Sequence, residues 1–240
     1  MATETERIAV LQRCKDAQEK IRAACAACGR DPDAVTLMAV TKTVAPELVN
    51  VACSTGIHVL GENRVQEYLS KRAEYDPAAE VQFIGHLQTN KVKQIVGDVT
   101  LIHSVDSVRL AAAIEKEAAA LQITQPVLLE LNAAGEESKS GVAANALPDL
   151  LRAVMAMPHL AVKGLMTIPP PVRCVAEADA MFAQIAAIYQ KLQQIAPLPI
   201  LSMGMSGDYE SAVRHGSTMV RLGSALFGPR VYPVKSERTP

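Results

Sequence analysis

This sequence has few aromatic residues and almost no net charge, and each of these features argues against a class of partner. None of the 240 residues is tryptophan, aromatic residues make up 3%, and the formal net charge is −1. Proteins that bind nucleic acids usually present a basic surface and aromatic side chains that stack on bases. Anionic membranes also attract basic surfaces. We therefore expect neither a nucleic acid nor a membrane as a partner.

Long apolar runs are missing too. No run approaches the ~20 residues that a membrane-spanning helix needs, and the polar, acidic start lacks the features of a secretory signal. The composition, 49% hydrophobic and 20% charged, is ordinary for a globular protein with a sizeable core. We expect a cytoplasmic protein, and a monomer, because no hydrophobic stripe is left over for a partner chain.

The five cysteines favour packing over metal binding. The pair Cys25 and Cys28 has the spacing of a metal or redox site, but no second Cys or His pair lies nearby to complete four zinc ligands. Steps of three and four residues instead predict that these cysteines share one core-facing helical stripe. The predicted members of that stripe are Ile8, Leu11, Cys14, Ile21, Cys25 and Cys28.

Short apolar runs alternate with amphipathic segments along the whole chain, at about 30 residues per unit. The predicted strands are 35–40, 57–60, 81–84, 99–102, 126–131, 160–165, 198–202 and 217–220. The predicted helices are 4–29, 46–55, 64–75, 89–96, 106–121 with Asp106 as N-cap, a segment ending near 158, 174–196 and 206–214.

Eight such units predict an α/β fold, a single (β/α)8 TIM barrel with an extra N-terminal helix within residues 1–30. A doubly wound open sheet is the alternative. No change in composition divides the chain, so we expect one domain over 1–240, with a loosely held tail at 229–240.

Lys42 lies at the C-terminal end of the first predicted strand, with Thr41 between it and Val40. Chemistry in parallel α/β folds collects at the carboxyl ends of the strands, and a lysine that is partly withdrawn from water there can become a nucleophilic amine. A solvated surface lysine is the ordinary alternative. The other residues expected in the same ring of strand ends are Asn63, His86, Ser104, Asn132, Met166, Ser202 and Arg221.

Two glycine-containing turns follow the last two predicted strands, at Leu201–Gly207 and Arg221–Ser224. Barrels often bind phosphate at these positions, because free backbone N–H groups point at the anion and glycine lets the backbone approach it. Ser206 and Ser224 can add hydroxyl donors. The alternative is that Ser206 is only a helix N-cap, and Asp208 would compete with phosphate if it pointed inward.

An amine beside a phosphate cradle suits a phosphorylated aldehyde held as a Schiff base. Pyridoxal 5'-phosphate (PLP) is one such compound, and a sugar-phosphate aldehyde is another. The residues alone leave both open.

Seven motifs, in order between about residues 35 and 230, resemble those of the pyridoxal phosphate homeostasis proteins. They are AVTKT (39–43), GENRVQE (61–67), FIGHLQTNK (83–91), SKSG (138–141), GLM (164–166), LSMGMS (201–206) and GSTMVRLG (216–223). The resemblance implies one barrel similar to the N-terminal domain of alanine racemase, with PLP as a Schiff base on Lys42.

The resemblance also implies roles for further residues. Ser206, Gly223, Ser224 and the backbone of Met205 would hold the phosphate. Arg221 would face the pyridine nitrogen, Met166 would lie against the ring, and Asn63 and Ser202 would line the pocket.

The implied function is intracellular PLP homeostasis without catalysis, with enzymes that lack PLP as possible recipients. The alternative is a racemase-like enzyme, which needs a second acid/base group; Tyr68 and Tyr209 are candidates, but nothing in the sequence aims them at the site. A Schiff-base aldolase fits the motifs poorly. Lys139 could cover the mouth or be solvated, and His86 and His103 are expected to be structural.

Overall fold

The eight predicted strands form a closed barrel in a computed structural model that describes residues 2–133 and 140–229. All pairings are parallel, the strands follow one another in chain order, and β8 pairs with β1. This confirms the (β/α)8 barrel, and the alternative of an open sheet is wrong. The strands are β1 Thr36–Val40, β2 Val59–Glu62, β3 Glu80–Phe83, β4 Leu101–Val105, β5 Gln125–Leu131, β6 Leu160–Thr167, β7 Ile200–Met205 and β8 Met219–Leu222.

Helices cover the outside of the barrel. They are α1 Glu4–Ala27, α2 Pro46–Cys53, α3 Val65–Lys71, α4 Val108–Leu121, α5 Leu147–Met155, α6 Val175–Gln193, α7 Tyr209–Arg214 and α8 Ser224–Phe227. Short 3-10 helices occur at Pro32–Ala34, Arg72–Glu74 and Thr89–Gln94. Among the described residues, no helix combines the length and the apolar character needed to cross a membrane. Most of the predicted tail, residues 230–240, lies outside the described residues.

Four strands begin two residues later than predicted, namely β2, β4, β7 and β8. The apolar residues Ile57, Val99 and Leu198 come just before three of these strands and are already buried. They pack in the core before the chain enters the ladder of backbone hydrogen bonds. Hydrophobicity therefore located each strand but did not give the first residue of these four, since burial begins before pairing does.

The structure corrects two predictions for the N-terminal helix and one for the start of α4. The buried stripe of α1 runs through Val10, Cys14, Ala17, Ile21, Ala24 and Cys25. Ile8 is 57% exposed because it lies two positions from Val10 and so points to another side of the helix. Cys28 is exposed because it follows the last helical residue, Ala27. The N-cap of α4 is Ser107, whose hydroxyl accepts from the Leu110 N–H, and not Asp106.

The core has two parts. The larger part fills the space between the strands and the helices, and α1 packs there against α2, α7 and α8. The smaller part fills the barrel itself, as two apolar clusters: Met38, Val40, Ile84 and Met219, and Leu101, Leu128 and Met166. Polar groups accompany them. His103 is fully buried, with its Nε2 2.7 Å from the Gln82 Oε1.

At Gly204, in β7, helix α7 packs tightly against the barrel. The φ of Gly204 is +95°, and an added Cβ would lie 2.5 Å from the Ala212 Cβ and 3.1 Å from the Tyr209 Cα. We expect Gly204→Ala to lower the free energy of unfolding by about 2–4 kcal/mol, from overpacking and backbone strain together.

Urea unfolding measures this effect, with Gly207→Ala as the control, because no atom lies within 4 Å of a Cβ added at Gly207. Equal stability of the two variants would contradict the packing account.

Candidate functional site

A cavity of about 270 Å³ opens at the carboxyl ends of the strands. It is the place where the strand-end lysine and both glycine turns meet. Seven of the nine predicted site residues lie on its wall: Lys42, Asn63, Met205, Ser206, Arg221, Gly223 and Ser224. Larger surface cavities exist, including one of about 520 Å³ between α1 and α7, but the strand-end lysine is not on that wall. The lysine and the turns therefore face one space.

Met166 and Ser202 are not on the wall of this cavity. Met166 is fully buried in the barrel interior, where it packs with Leu101 and Leu128. Ser202 is also fully buried, and its Oγ accepts a hydrogen bond of 2.7 Å from Arg221. Both lie within strands and not at their ends, because β6 continues to Thr167 and β7 to Met205.

The side chain of Arg221, on β8, is held by hydrogen bonds to residues of β6 and β7. Its Nη1 donates to the carbonyl and hydroxyl oxygens of Ser202 at 2.8 and 2.7 Å, and its Nη2 donates to the Thr167 carbonyl at 2.7 Å. Contacts within the described residues thus use three of the five N–H donors, which leaves two for a ligand. Burial lowers the pKa of Arg221 to about 10, and the negative charges of Glu130 and Asp208 only partly offset this effect. The guanidinium therefore stays charged at neutral pH.

The serine of the β7 turn joins the two turns. The Ser206 Oγ accepts from the Gly223 N–H at 3.2 Å and from the Ala225 N–H at 3.1 Å. Because both bonds occupy its lone pairs, its own O–H remains to donate. The alternative that Ser206 is an N-cap is wrong, since α7 begins at Tyr209 and Asp208 holds the cap position.

Asp208 does not compete for an anion in the way that the sequence suggested. Its Oδ1 accepts from the Met205 N–H at 2.7 Å, and Asp208 is not on the wall of the 270 Å³ cavity. Instead it shapes the turn. Within the described residues the N–H groups of Gly207 and Ser224 donate to no backbone or side-chain acceptor, so both are open to a ligand.

Four wall residues were not singled out from the sequence as site residues: Val40, Ile84, Ile168 and Gly207. Strand periodicity could have found Val40, because residues i and i+2 point to the same face and it lies two before Lys42. Ile84 follows β3 directly, and Ile168 follows β6 and is 46% exposed. Together they give the cavity an apolar side.

Asn63 supplies an acceptor. Its Oδ1 is buried and has no hydrogen-bond partner among the described residues. A buried carbonyl oxygen without a donor is unfavourable, so this oxygen is available to a group that donates a hydrogen bond.

Within the described part of the chain, the other polar residues considered from the sequence do not line the 270 Å³ cavity. The Tyr68 hydroxyl donates to the Asp98 carbonyl at 2.9 Å, and Tyr209 lines the cavity between α1 and α7. His86 is exposed, with its Nδ1 3.8 Å from the Asp106 Oδ2. Burial, and then the charge of Arg221, lower the pKa of His103, so it is neutral. Lys139 lies outside the described residues.

Glu62 lies behind the site and is fully buried. Its Oε1 accepts from the Thr41 Oγ1 at 2.7 Å and from the Tyr75 hydroxyl, whereas its Oε2 has no partner within the described ranges. Burial raises the pKa of Glu62, and the two hydrogen bonds and the charge of Lys71 only partly offset this.

Comparison with protein families places the site in context. Residues 15–231 match the family model described as the alanine racemase N-terminal domain. The pyridoxal phosphate homeostasis protein of Aquifex aeolicus is 43% identical over 224 residues, which are 92% of this chain and 98% of the relative. That of Pseudomonas aeruginosa is 42% identical over 214 residues, 89% of this chain and 92% of the relative.

Solved structures of similar proteins support the same family and fold. PipY from Synechococcus elongatus PCC7942, solved with PLP bound, is 34% identical, has a TM-score of 0.76, and covers 87% of this chain with 100% of its own. An unknown protein from Bifidobacterium adolescentis is 31% identical, with a TM-score of 0.86 over 94% of this chain and 97% of its own. An alanine racemase from Clostridium difficile 630, at 15% identity and a TM-score of 0.70, shares the fold.

The raised pKa of Glu62 predicts a pH dependence of stability. Above the ordinary glutamate pKa the folded protein binds more protons than the unfolded chain, so its free energy of unfolding decreases as pH rises through the interval between the two pKa values. Glu62→Gln removes this titration. We therefore expect the variant to gain stability relative to the parent on going from about pH 5 to about pH 8.

Urea unfolding of the protein without PLP at both pH values measures the change. Glu74→Gln, at an exposed position, is the control. A stability difference between Glu62→Gln and the parent that is the same at both pH values would contradict the assignment.

Proposed function

This chain belongs to the family of pyridoxal phosphate homeostasis proteins, and from that premise we propose that it binds PLP as a Schiff base on Lys42. In this proposal it holds PLP for intracellular PLP homeostasis and does not itself catalyse a reaction. The residues 1–240 act as one PLP-binding barrel domain. A related protein solved with PLP bound supports the choice of ligand over a sugar-phosphate aldehyde.

One observation carries the proposal: the wall of a single cavity contains Lys42, both glycine turns and Arg221. PLP has three polar parts to bind. Its aldehyde requires an amine, its phosphate requires N–H and O–H donors, and its ring nitrogen requires a further polar group. The cavity has all three kinds of group.

The residues present fit the cofactor. The open N–H groups of Gly207 and Ser224 and the hydroxyl of Ser206 are donors suited to a phosphate. Arg221 has two N–H donors left, and one can meet the pyridine nitrogen. The Asn63 Oδ1, which has no partner in the described part of the chain, can accept from the phenolic O–H of PLP. We propose Ser202 and Met166 as supporting residues that hold Arg221 and fill the barrel beneath the cavity.

Bound PLP supplies an electrophilic carbon and, in enzymes, an electron sink. The electron sink is strongest when the pyridine nitrogen is protonated, and a guanidinium only donates to that nitrogen. Arg221 therefore keeps the ring a weak electron sink, which argues against transamination as the main activity.

The racemase-like alternative requires a second acid/base group on the other face of the substrate. Neither Tyr68 nor Tyr209 lies on the cavity wall, and Tyr68 is engaged with Asp98. These positions support a carrier. Recipient enzymes, the monomeric state, the cytoplasmic location and a role for Lys139 stay predictions.

Replacing Lys42 tests the proposal. We expect the parent loaded with PLP to absorb visible light and Lys42→Ala to lose this band, because the amine proposed to form the Schiff base is removed. An absorbance spectrum measures it, and Lys116→Ala, an exposed lysine on α4, is the matched control.

If Lys42→Ala kept the band, Lys42 would not be the site of attachment. Steady conversion of L-alanine to D-alanine by the parent, abolished in Lys42→Ala, would support the enzyme instead of the carrier.

Replacing Arg221 separates ring contacts from phosphate contacts. We expect Arg221→Ala to shift the visible band of bound PLP while most PLP is retained, because both phosphate-binding turns remain. Spectra before and after dialysis measure both effects, with Arg214→Ala as the control for loss of a cation. Complete loss of PLP in a variant that stays folded would show that Arg221 has a different role.

A further inference from the structure

Helix α3 holds the backbone on both sides of Lys42. On the near side, the Lys71 Nζ donates to the Thr41 carbonyl at 3.2 Å. On the far side, the Glu67 Oε1 accepts from the Thr43 N–H, and it also accepts from Lys71. One ion pair on a helix therefore connects the residue before Lys42 to the residue after it.

The conformation that this ion pair holds is an unfavourable one. Thr43 has a φ of +62°, the left-handed region that a β-branched residue rarely adopts. The carboxylate of Glu67 gives the Thr43 N–H its acceptor in that conformation. A residue in this region persists only when surrounding contacts hold it.

The ion pair is placed to be effective. Both side chains are largely buried, with 14% of Lys71 and 16% of Glu67 exposed. Partial burial opposes ionisation, yet the hydrogen bonds from Lys71 and from the Thr43 N–H lower the pKa of Glu67, so it is a carboxylate at neutral pH.

A second contact fixes the other side of the turn. The Thr41 hydroxyl donates to Glu62 at 2.7 Å and lies 3.3 Å from the Gly61 carbonyl. Asn63, the next residue after Glu62, lies on the cavity wall with Lys42. The ends of β1 and β2 are thereby locked to one another where the lysine leaves the strand.

We propose that Glu67 is a positioning residue for Lys42: with Lys71 it fixes the Thr41–Thr43 turn so that the lysine amine is directed at the PLP aldehyde. The inference rests on the proposed function. It explains the acid at position 67 of the GENRVQE motif, which does not contact the cavity.

The test compares two ligands that differ only at the reacting carbon. PLP can bond to Lys42, whereas pyridoxine 5'-phosphate, which has an alcohol in place of the aldehyde, can use only the phosphate and ring contacts. Their equilibrium affinities are measured for the parent, Glu67→Ala, Glu67→Gln and the double variant Glu67→Ala/Thr43→Gly. Glu74→Ala is the matched control, because it removes an exposed acid close to the end of the same helix.

We expect Glu67→Ala to weaken PLP binding by about tenfold and to change the affinity for pyridoxine 5'-phosphate by less than about twofold. Glu67→Gln keeps an acceptor for the Thr43 N–H and should lose less. Thr43→Gly should restore most of the PLP affinity of Glu67→Ala, because glycine adopts a positive φ without the steric penalty.

Three results would overturn the proposal: unchanged PLP affinity in Glu67→Ala, an equal loss for both ligands, or no rescue by Thr43→Gly. Thermal melting of each variant identifies any that fails to fold, and the rescue comparison then uses Glu67→Gln/Thr43→Gly. If the parent itself does not prefer PLP to the alcohol, the proposed function fails instead, so the two failures are distinguishable.

Discussion

Closure of the barrel between its first and last strands is the constraint on which the site depends. Lys42 and Gly223 are far apart in the chain, and they share a cavity because β8 pairs in parallel with β1, with Ala39 opposite Leu222 and Met38 opposite Arg221. Since the strands are parallel, their carboxyl ends lie at one mouth. An amine from one end of the chain and anion-binding turns from the other can then act on one small molecule.

The barrel interior also holds a charge that would be unfavourable without partners. Arg221 is 4% exposed, and acceptors on β6 and β7 hold part of its guanidinium. Those strands therefore do more than complete the barrel, because they orient a guanidinium and leave two of its donors for a ligand. Removing either set of acceptors would leave buried N–H groups unpaired, which costs more than an ordinary hydrogen bond contributes.

Much of this architecture could be predicted from residue patterns, since apolar runs and glycine turns are local. The order of strands, the position of Lys42 and the turns at Ser206 and Gly223 are of this kind. Features that depend on register could not be predicted. Strand β7 continues past Ser202 to Met205, which leaves Ser202 buried below the mouth, and the register between β7 and β8 shifts between these two residues. The prediction for Cys28 is wrong because periodicity does not reveal where a helix ends. The left-handed conformation of Thr43 could not be predicted, because glycine is the residue that usually marks such a conformation.

The central claim is that the first-strand lysine and the last two turns serve one PLP molecule. The most direct measurement is borohydride reduction of the protein loaded with PLP, followed by proteolysis and mass mapping of the modified peptide. The account predicts the reduced cofactor on the peptide that contains Lys42, at about one per chain, with loading lost when inorganic phosphate competes for the turns. Label spread over surface lysines, or fixed on a lysine away from the 270 Å³ cavity, would contradict it.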